Sequence, residues 1–143
     1  MVAINILLVD DEAPFVETMT KRLSKRGLNV SAAFSGNEAL TMLEQTGNVE
    51  VVVLDVKMPG MDGNETLREI KKNYPLVEVI MLTGHATVES AISGMKWGAF
   101  DYLMKPCDLE ELISKVTGAA SKKRRHEEKI IEARMREITL RHA

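Results

Sequence analysis

The sequence predicts an α/β fold in which five strands alternate with five helices around a parallel sheet, a (βα)5 arrangement. Short β-branched or leucine-rich runs recur at Ile4–Val9, Leu28–Ala33, Val51–Leu54, Val77–Leu82 and Phe100–Met104, each separated from the next by a helix-length segment. Val51-Val52-Val53-Leu54 is apolar at every position instead of every second one, the pattern of a central parallel strand covered on both faces. At 143 residues the chain has room for one domain with a proper core and an appendage.

The helical segments carry their own punctuation. Val16, Met19 and Leu23 follow a helical stripe that Gly27 would stop. Ser35 and Glu38 read as a capping box ahead of Ala39, Leu40 and Leu43, with Gly47 as terminator. Leu67 and Ile70 give a third helix capped at Asn64 and closed before Pro75. Thr87 caps a fourth, with Val88, Ala91, Ile92 and Met95 on one side. Asp108 and Glu111 form another box before Leu112, Ile113 and Val116, and the methionines on these stripes read as core fillers.

Composition narrows the function classes. A formal net charge of -2 supplies no global field for nucleic acid or a membrane surface. Cys107 is the only cysteine and no Cys/His cluster has zinc spacing, as expected of a reducing compartment; Cys107 itself reads as apolar filler. Ile4–Val9 is interrupted by Asn5, ends in acids and lacks a basic region before it, so neither a signal peptide nor a membrane span is expected and a cytoplasmic location is.

After Gly118 the composition shifts, which divides the chain into a domain at 1–120 and a charged helical tail or linker at 121–143. Glu132 to Arg136 and Glu137 to Arg141 have the favourable i, i+4 order. Two readings of the tail stand side by side: a solvated linker helix, or a seam of Ile131, Met135 and Ile138 for a partner helix or attached output domain. Lys122-Lys123-Arg124-Arg125 does not read as a nucleic-acid site, since Glu127, Glu128 and Glu132 follow and no aromatic residue interleaves.

In an open parallel sheet, ligands bind beyond the carboxyl ends of the strands. The first strand ends in Asp10-Asp11-Glu12, the third in Asp55, the fourth in Thr83-Gly84-His85 and the fifth in Lys105-Pro106. Singly, each has an ordinary role: Asp11 a helix cap, Thr83 a turn residue, Lys105 a solvated charge. Together they set Asp10, Asp11 and Asp55, one hydroxyl and one ammonium at one rim. Crowded carboxylates must take up protons or share a cation, and a single lysine cannot neutralise three. An all-oxygen donor set too small for a Ca²⁺ cage suits Mg²⁺ that keeps several waters. Metal, lysine and hydroxyl are what a phosphoryl group needs, and Asp55 on the central strand is the natural nucleophile.

Asp10-Asp11-Glu12, Asp55 followed by Met58-Pro59-Gly60-Met61-Asp62-Gly63, Leu82-Thr83-Gly84, and Gly98-Ala99-Phe100-Asp101-Tyr102-Leu103-Met104-Lys105-Pro106 resemble the receiver domain of bacterial two-component response regulators, over residues 4 to 120. The resemblance implies a flavodoxin-like doubly wound sheet with strand order 2-1-3-4-5 and a phosphoacceptor signalling switch in place of an enzyme. It implies that Asp55 takes phosphate from a sensor histidine kinase. It also implies that Asp11, Asp55 and the Lys57 carbonyl bind Mg²⁺, with Asp10 acting largely through water. Thr83 would hydrogen-bond the phosphoryl oxygens, Lys105 would pair with them, and Tyr102 would move as Thr83 moves. The Lys105–Pro106 bond would be cis. Lys57 and His85 occupy the two variable positions beside the phosphoryl group, where His85 reads as a gatepost for attacking water.

Phosphorylation would change the surface of the fourth helix, fifth strand and fifth helix, where an output partner or a second copy would dock; the C-terminal helix is the other candidate for a homodimer contact. No membrane and no direct nucleic-acid contact by the receiver domain are expected. The alternative is a Mg²⁺-dependent aspartyl-nucleophile phosphohydrolase. It fits the residues less well, because such haloacid-dehalogenase-like enzymes place nucleophile and acid two residues apart on one loop, whereas Lys57 stands two after Asp55.

Overall fold

All four residues of Val51–Leu54 are buried, as a strand sandwiched between two helical layers must be. A computed structural model describes residues 2–84 and 87–142 of the chain. Strands β1 (Asn5–Val9), β2 (Asn29–Ala33), β3 (Val51–Leu54), β4 (Glu78–Thr83) and β5 (Asp101–Met104) alternate with helices α1 (Ala13–Lys25), α2 (Gly36–Thr46), α3 (Gly63–Asn73), α4 (Val88–Lys96) and α5 (Leu109–Arg141). Every strand pairing is parallel and the order is β2-β1-β3-β4-β5, the doubly wound flavodoxin-like sheet expected from the sequence.

Alternation along the strands divides the core. Leu7, Val9, Val52, Leu54, Val79 and Met81 pack against Ala39 and Leu43 of α2 and Leu67 and Ile70 of α3. Ile6, Leu8, Val51, Val53, Ile80 and Leu82 face the other way, onto Val16 and Leu23 of α1 and Leu112, Val116, Ala119 and Ala120 of α5. Full burial of such a side chain contributes about 1.5–3 kcal/mol, so the two layers supply most of the drive to fold.

Four expectations about the helices need correction. The third helix is capped at Asp62, not Asn64: the Asp62 carboxylate accepts the Glu65 backbone N–H at 2.9 Å, and Gly63 already lies in the first turn. At α2 the Ser35 hydroxyl accepts from Glu38 N at 3.1 Å, but the Glu38 carboxylate returns to Phe34 N instead of Ser35 N. Asp108 stands at the N-cap of α5 without a side-chain capping bond, so the box with Glu111 does not form. On α4 the apolar stripe points outward, with Val88, Ile92 and Met95 exposed, and Met95 is therefore not core filler. The face that α4 turns inward is the small one, centred on Gly94, which leaves room for the ring of Tyr102.

Helix α5 runs 33 residues without interruption through the change of composition after Gly118. None of its described residues beyond Ala120 is buried. Ile131, Met135 and Ile138 lie exposed along it, and the pairs Glu132–Arg136 and Glu137–Arg141 form at 3.6 and 2.5 Å. Three of the four residues in the basic quartet are engaged by acids: Lys122 with Glu78 at 3.4 Å, Lys123 with Glu127 at 2.6 Å and Arg124 with Glu50 at 2.7 Å. Among the described residues no helix is long and apolar enough to cross a membrane.

Arg124 grips Glu50 through both oxygens, Nε to Oε2 at 2.7 Å and Nη2 to Oε1 at 2.9 Å, while the Asn5 N–H donates to Oε1 at 3.2 Å. A bidentate guanidinium is the strong form of the carboxylate pair. This hydrogen bonding outweighs the cost of burial and holds Glu50 below its ordinary value of 4.5. A lowered carboxylate pKa contributes stability that is fully present above the unfolded value and is lost as pH falls through the folded one. Arg124→Met should therefore lose less stability than the wild type as the pH falls below about 4.5. Urea unfolding across that window measures it, and parallel acid limbs would refute the pairing.

Candidate functional site

The sheet register determines what meets at the rim. Val9 pairs with Leu54, Leu54 with Met81, and Thr83 with Met104. The next residue in three of these strands is Asp10, Asp55 or Lys105. The backbone locks them in step: Asp55 N donates to Val9 O at 3.0 Å and Lys105 N to Thr83 O at 2.8 Å. Chain segments 45 residues or more apart are thus brought to one edge by strand pairing alone.

Oxygens of Asp10, Asp11 and Asp55 all lie within 4.8 Å of one another, a group able to hold a metal ion. Asp10 and Asp55 are buried and Asp11 is exposed, so the cluster has a closed floor and an open mouth. Asp55 Oδ1 accepts the Val56 N–H at 2.8 Å, and Asp10 Oδ1 accepts the Glu12 N–H at 2.9 Å. The Lys105 ammonium donates to Asp10 Oδ2 at 2.5 Å and reaches Glu12 Oε1 at 3.4 Å. Burial is the largest influence on Asp10 and, with the charge of Asp55 beside it, raises its pKa despite the Lys105 hydrogen bond. Burial opposes the charge on Lys105, but Asp10, Asp55 and Glu12 outweigh it and the ammonium is held above its ordinary value. Lys105 answers Asp10 directly, which leaves the remaining carboxylates in need of a cation. Their all-oxygen donor set fits a hard divalent ion.

Asp11, Asp55 and Lys57 share the wall of a cleft of about 550 Å³ with Glu12, Met58 and Pro59. Thr83 is fully buried at the end of β4. The Lys105–Pro106 bond is cis. Cys107 is half-buried and burial pushes its thiol pKa up, in keeping with an inert filler. His85 lies outside the described residues.

Two features of the site escaped sequence reasoning. Gly63 packs directly on the backbone that carries Asp55: a Cβ there would lie against the Asp55 carbonyl and 2.6 Å from Val56 Cα. Its own N–H donates to Val56 O at 2.7 Å. Tyr102 has a seat on α4, where its hydroxyl meets the Ser90 hydroxyl at 2.8 Å and its ring lies 3.2 Å from where a Gly94 Cβ would be. Ser90 also closes the capping box with Thr87. The spacing of Thr87 and Ser90 was the available signal for that box; the link to Tyr102 had none, because it crosses elements.

With this geometry established, comparison with known proteins is decisive. The model of the response regulator receiver domain matches residues 6–117. The chain belongs to the response regulator receiver domain family. It is 39% identical over 114 residues to the DNA-binding transcriptional regulator NtrC of Klebsiella pneumoniae, a stretch that covers 80% of this chain and 24% of that protein. A receiver domain protein from Clostridium thermocellum superposes with a TM-score of 0.80 at 38% identity, covering 85% of this chain and 97% of that one. NtrX from Brucella abortus superposes with a TM-score of 0.81 at 32% identity, covering 89% of this chain and 29% of that one. The chain therefore spans about a quarter of the length of the curated NtrC relatives it matches. These likenesses give the phosphohydrolase alternative no support.

Because the β3–α3 turn leaves no space for a side chain at Gly63, Gly63→Ala should destabilise the domain by about 1–3 kcal/mol. Urea unfolding at constant slope is the measurement, and an unchanged midpoint would show that the turn is not held against Asp55 as described.

Proposed function

We propose that this receiver domain is a phosphoacceptor switch in which Asp55 is the phosphorylated residue. The observation that carries the reading is a buried Asp55 whose oxygens lie within 4.8 Å of those of Asp10 and Asp11, with Lys105 at their edge. One Asp55 oxygen attacks the phosphorus of a phosphohistidine on a sensor histidine kinase. An O–P bond forms as the N–P bond breaks, and the imidazole leaves with the electron pair. Asp11, Asp55 and the Lys57 carbonyl would hold Mg²⁺, with Asp10 acting largely through water. When bound, the ion neutralises charge on the transferring phosphoryl oxygens. Lys105 pairs with those oxygens and Thr83 donates a hydrogen bond to them. The same residues assist hydrolysis of the acyl phosphate, so the chain promotes its own phosphorylation and dephosphorylation without turning over a substrate.

Phosphorylation adds close to two negative charges at Asp55. Contacts of charged groups such as those from Thr83 and Lys105 contribute roughly 1.5–3 kcal/mol each. Reversing a switch from 1:99 to 99:1 takes about 5.5 kcal/mol, so two contacts nearly suffice. Tyr102, seated on α4, follows Thr83 and alters the α4-β5-α5 surface. A cytoplasmic output partner, an attached output domain or a second copy reads that surface, the copy alternatively docking on α5. In this reading residues 1–120 are the switch and the helical tail at 121–143 connects it to its output.

Asp55→Asn should abolish stoichiometric labelling by acetyl phosphate with Mg²⁺, and Thr83→Ala should keep the label but blunt the structural response measured by amide exchange over α4. Equal labelling of wild type and Asp55→Asn, by intact mass, would remove the mechanism. A beryllofluoride complex that forms only with Mg²⁺ is the expected companion result.

A further inference from the structure

Lys105 has a third contact besides its two carboxylates. Its ammonium stands 4.0 Å from the centroid of the Phe15 ring, with the lysine side chain only 15% exposed. A cation at that distance over a phenyl face is attracted by the ring quadrupole, and more strongly where water is excluded. Phe15 comes from the first turn of α1 and Lys105 from the segment after β5, so only the assembled fold makes the pair. Phe15 also packs on the apolar layer beneath α1, which would by itself be a sufficient structural role. Leucine could fill that role. It could not supply the quadrupole.

A lysine ammonium sits on a flexible four-carbon stem and makes point-charge contacts of little fixed direction. In this site Asp10 and Glu12 draw it from one strand end while the carboxylate cluster extends past them. We propose that Phe15 is a positioning residue, whose ring face holds the Lys105 ammonium at the rim of the cluster so that it meets a phosphoryl group on Asp55 already placed. This rests on the reading of Lys105 as the counter-ion of that phosphoryl group. Preplacement lowers the cost of organising the charge at the moment of transfer.

The test compares Phe15→Leu, which keeps apolar volume, with Phe15→Tyr, which keeps the ring, each with and without Lys105→Ala. Initial labelling rates from acetyl phosphate at saturating Mg²⁺ are followed by intact mass. Phe15→Leu should slow labelling by about 2- to 30-fold, the range a cation–π contact commands, and Phe15→Tyr should restore it. In the Lys105→Ala background Phe15→Leu should have no further effect. Independently of labelling, the ε-methylene protons of Lys105 should show an upfield ring-current shift by NMR in the wild type and Phe15→Tyr that Phe15→Leu abolishes. Wild-type labelling by Phe15→Leu, equal slowing with and without Lys105, or no ring-current shift in the wild type would each overturn the role of Phe15. Wild-type labelling by Lys105→Ala would overturn the counter-ion reading instead, and that result is distinct from the others.

Discussion

Negative charge concentrated at one rim of the sheet is the constraint on which the rest of the molecule depends. Asp10, Asp11 and Asp55 bring their oxygens within 4.8 Å of one another, and among the described residues the ammonium that contacts the cluster is Lys105, spent on Asp10 at 2.5 Å. Burial of Asp10 disfavours its charged form and, with the smaller push of the Asp55 charge, drives the Asp10 carboxyl upward even with an ammonium beside it. In the proposed function this cluster attracts a dication and, through it, a phosphoryl group, so that neutralising a member with an apolar residue would ease the repulsion and remove the proposed chemistry together.

Holding that rim together falls to the sheet. Backbone bonds from Asp55 to Val9 and from Lys105 to Thr83 tie the rim residues to neighbouring strands, and Gly63 lets the next turn close against Asp55. The opposite end of the same strands is anchored differently. Glu50 immediately precedes β3 and is clasped by Arg124, while Glu78 opens β4 and is reached by Lys71 at 3.2 Å and Lys122 at 3.4 Å. The strands that deliver Asp55 and Thr83 therefore begin at ion pairs with α5. The carboxylate cluster sits at one end of the sheet, and the long helix α5 is fastened at the other.

Helix α4 departs from the usual amphipathic rule. It buries Gly94 and exposes Val88, Ile92 and Met95, close in sequence to the exposed Trp97 and followed across β5 by exposed Met104. Small residues inward give Tyr102 its seat between the Ser90 hydroxyl and the Gly94 backbone. An element held by a glycine and one hydroxyl pair gains less from burial than its neighbours α3 and α5, which insert leucine, isoleucine and valine. That difference suits α4 to be the helix that responds to the site.

Much of this could be read along the chain, and the reason is local physics. A continuous apolar run identified β3, and the apolar stretch Val79 to Leu82 most of β4, because burial on both faces favours apolar residues at successive positions of a strand. Ser35, Thr87, Gly27 and Gly47 marked helix ends because caps and left-handed residues are chosen within a few positions of the backbone groups they serve. The rule that strand ends line the site then gathered Asp10, Asp11, Asp55, Thr83 and Lys105 before any coordinates. Errors arose where two local signals competed, as Asp62 did with Asn64, or where amphipathicity was taken to mean burial, as on α4.

What the sequence determined by itself was therefore the class of fold, the position of its strands to within one residue at each end and the inventory of charged groups at the rim, all of which depend on neighbours in the chain. Tertiary structure alone decided which groups touch. Lys105 meets Asp10 across 95 positions and Arg124 meets Glu50 across 74. Phe15 underlies Lys105, and Gly94 makes way for Tyr102. Contacts of that kind are set by sheet register and by the rotation of each helix about its axis, and neither is encoded at any single stretch of residues.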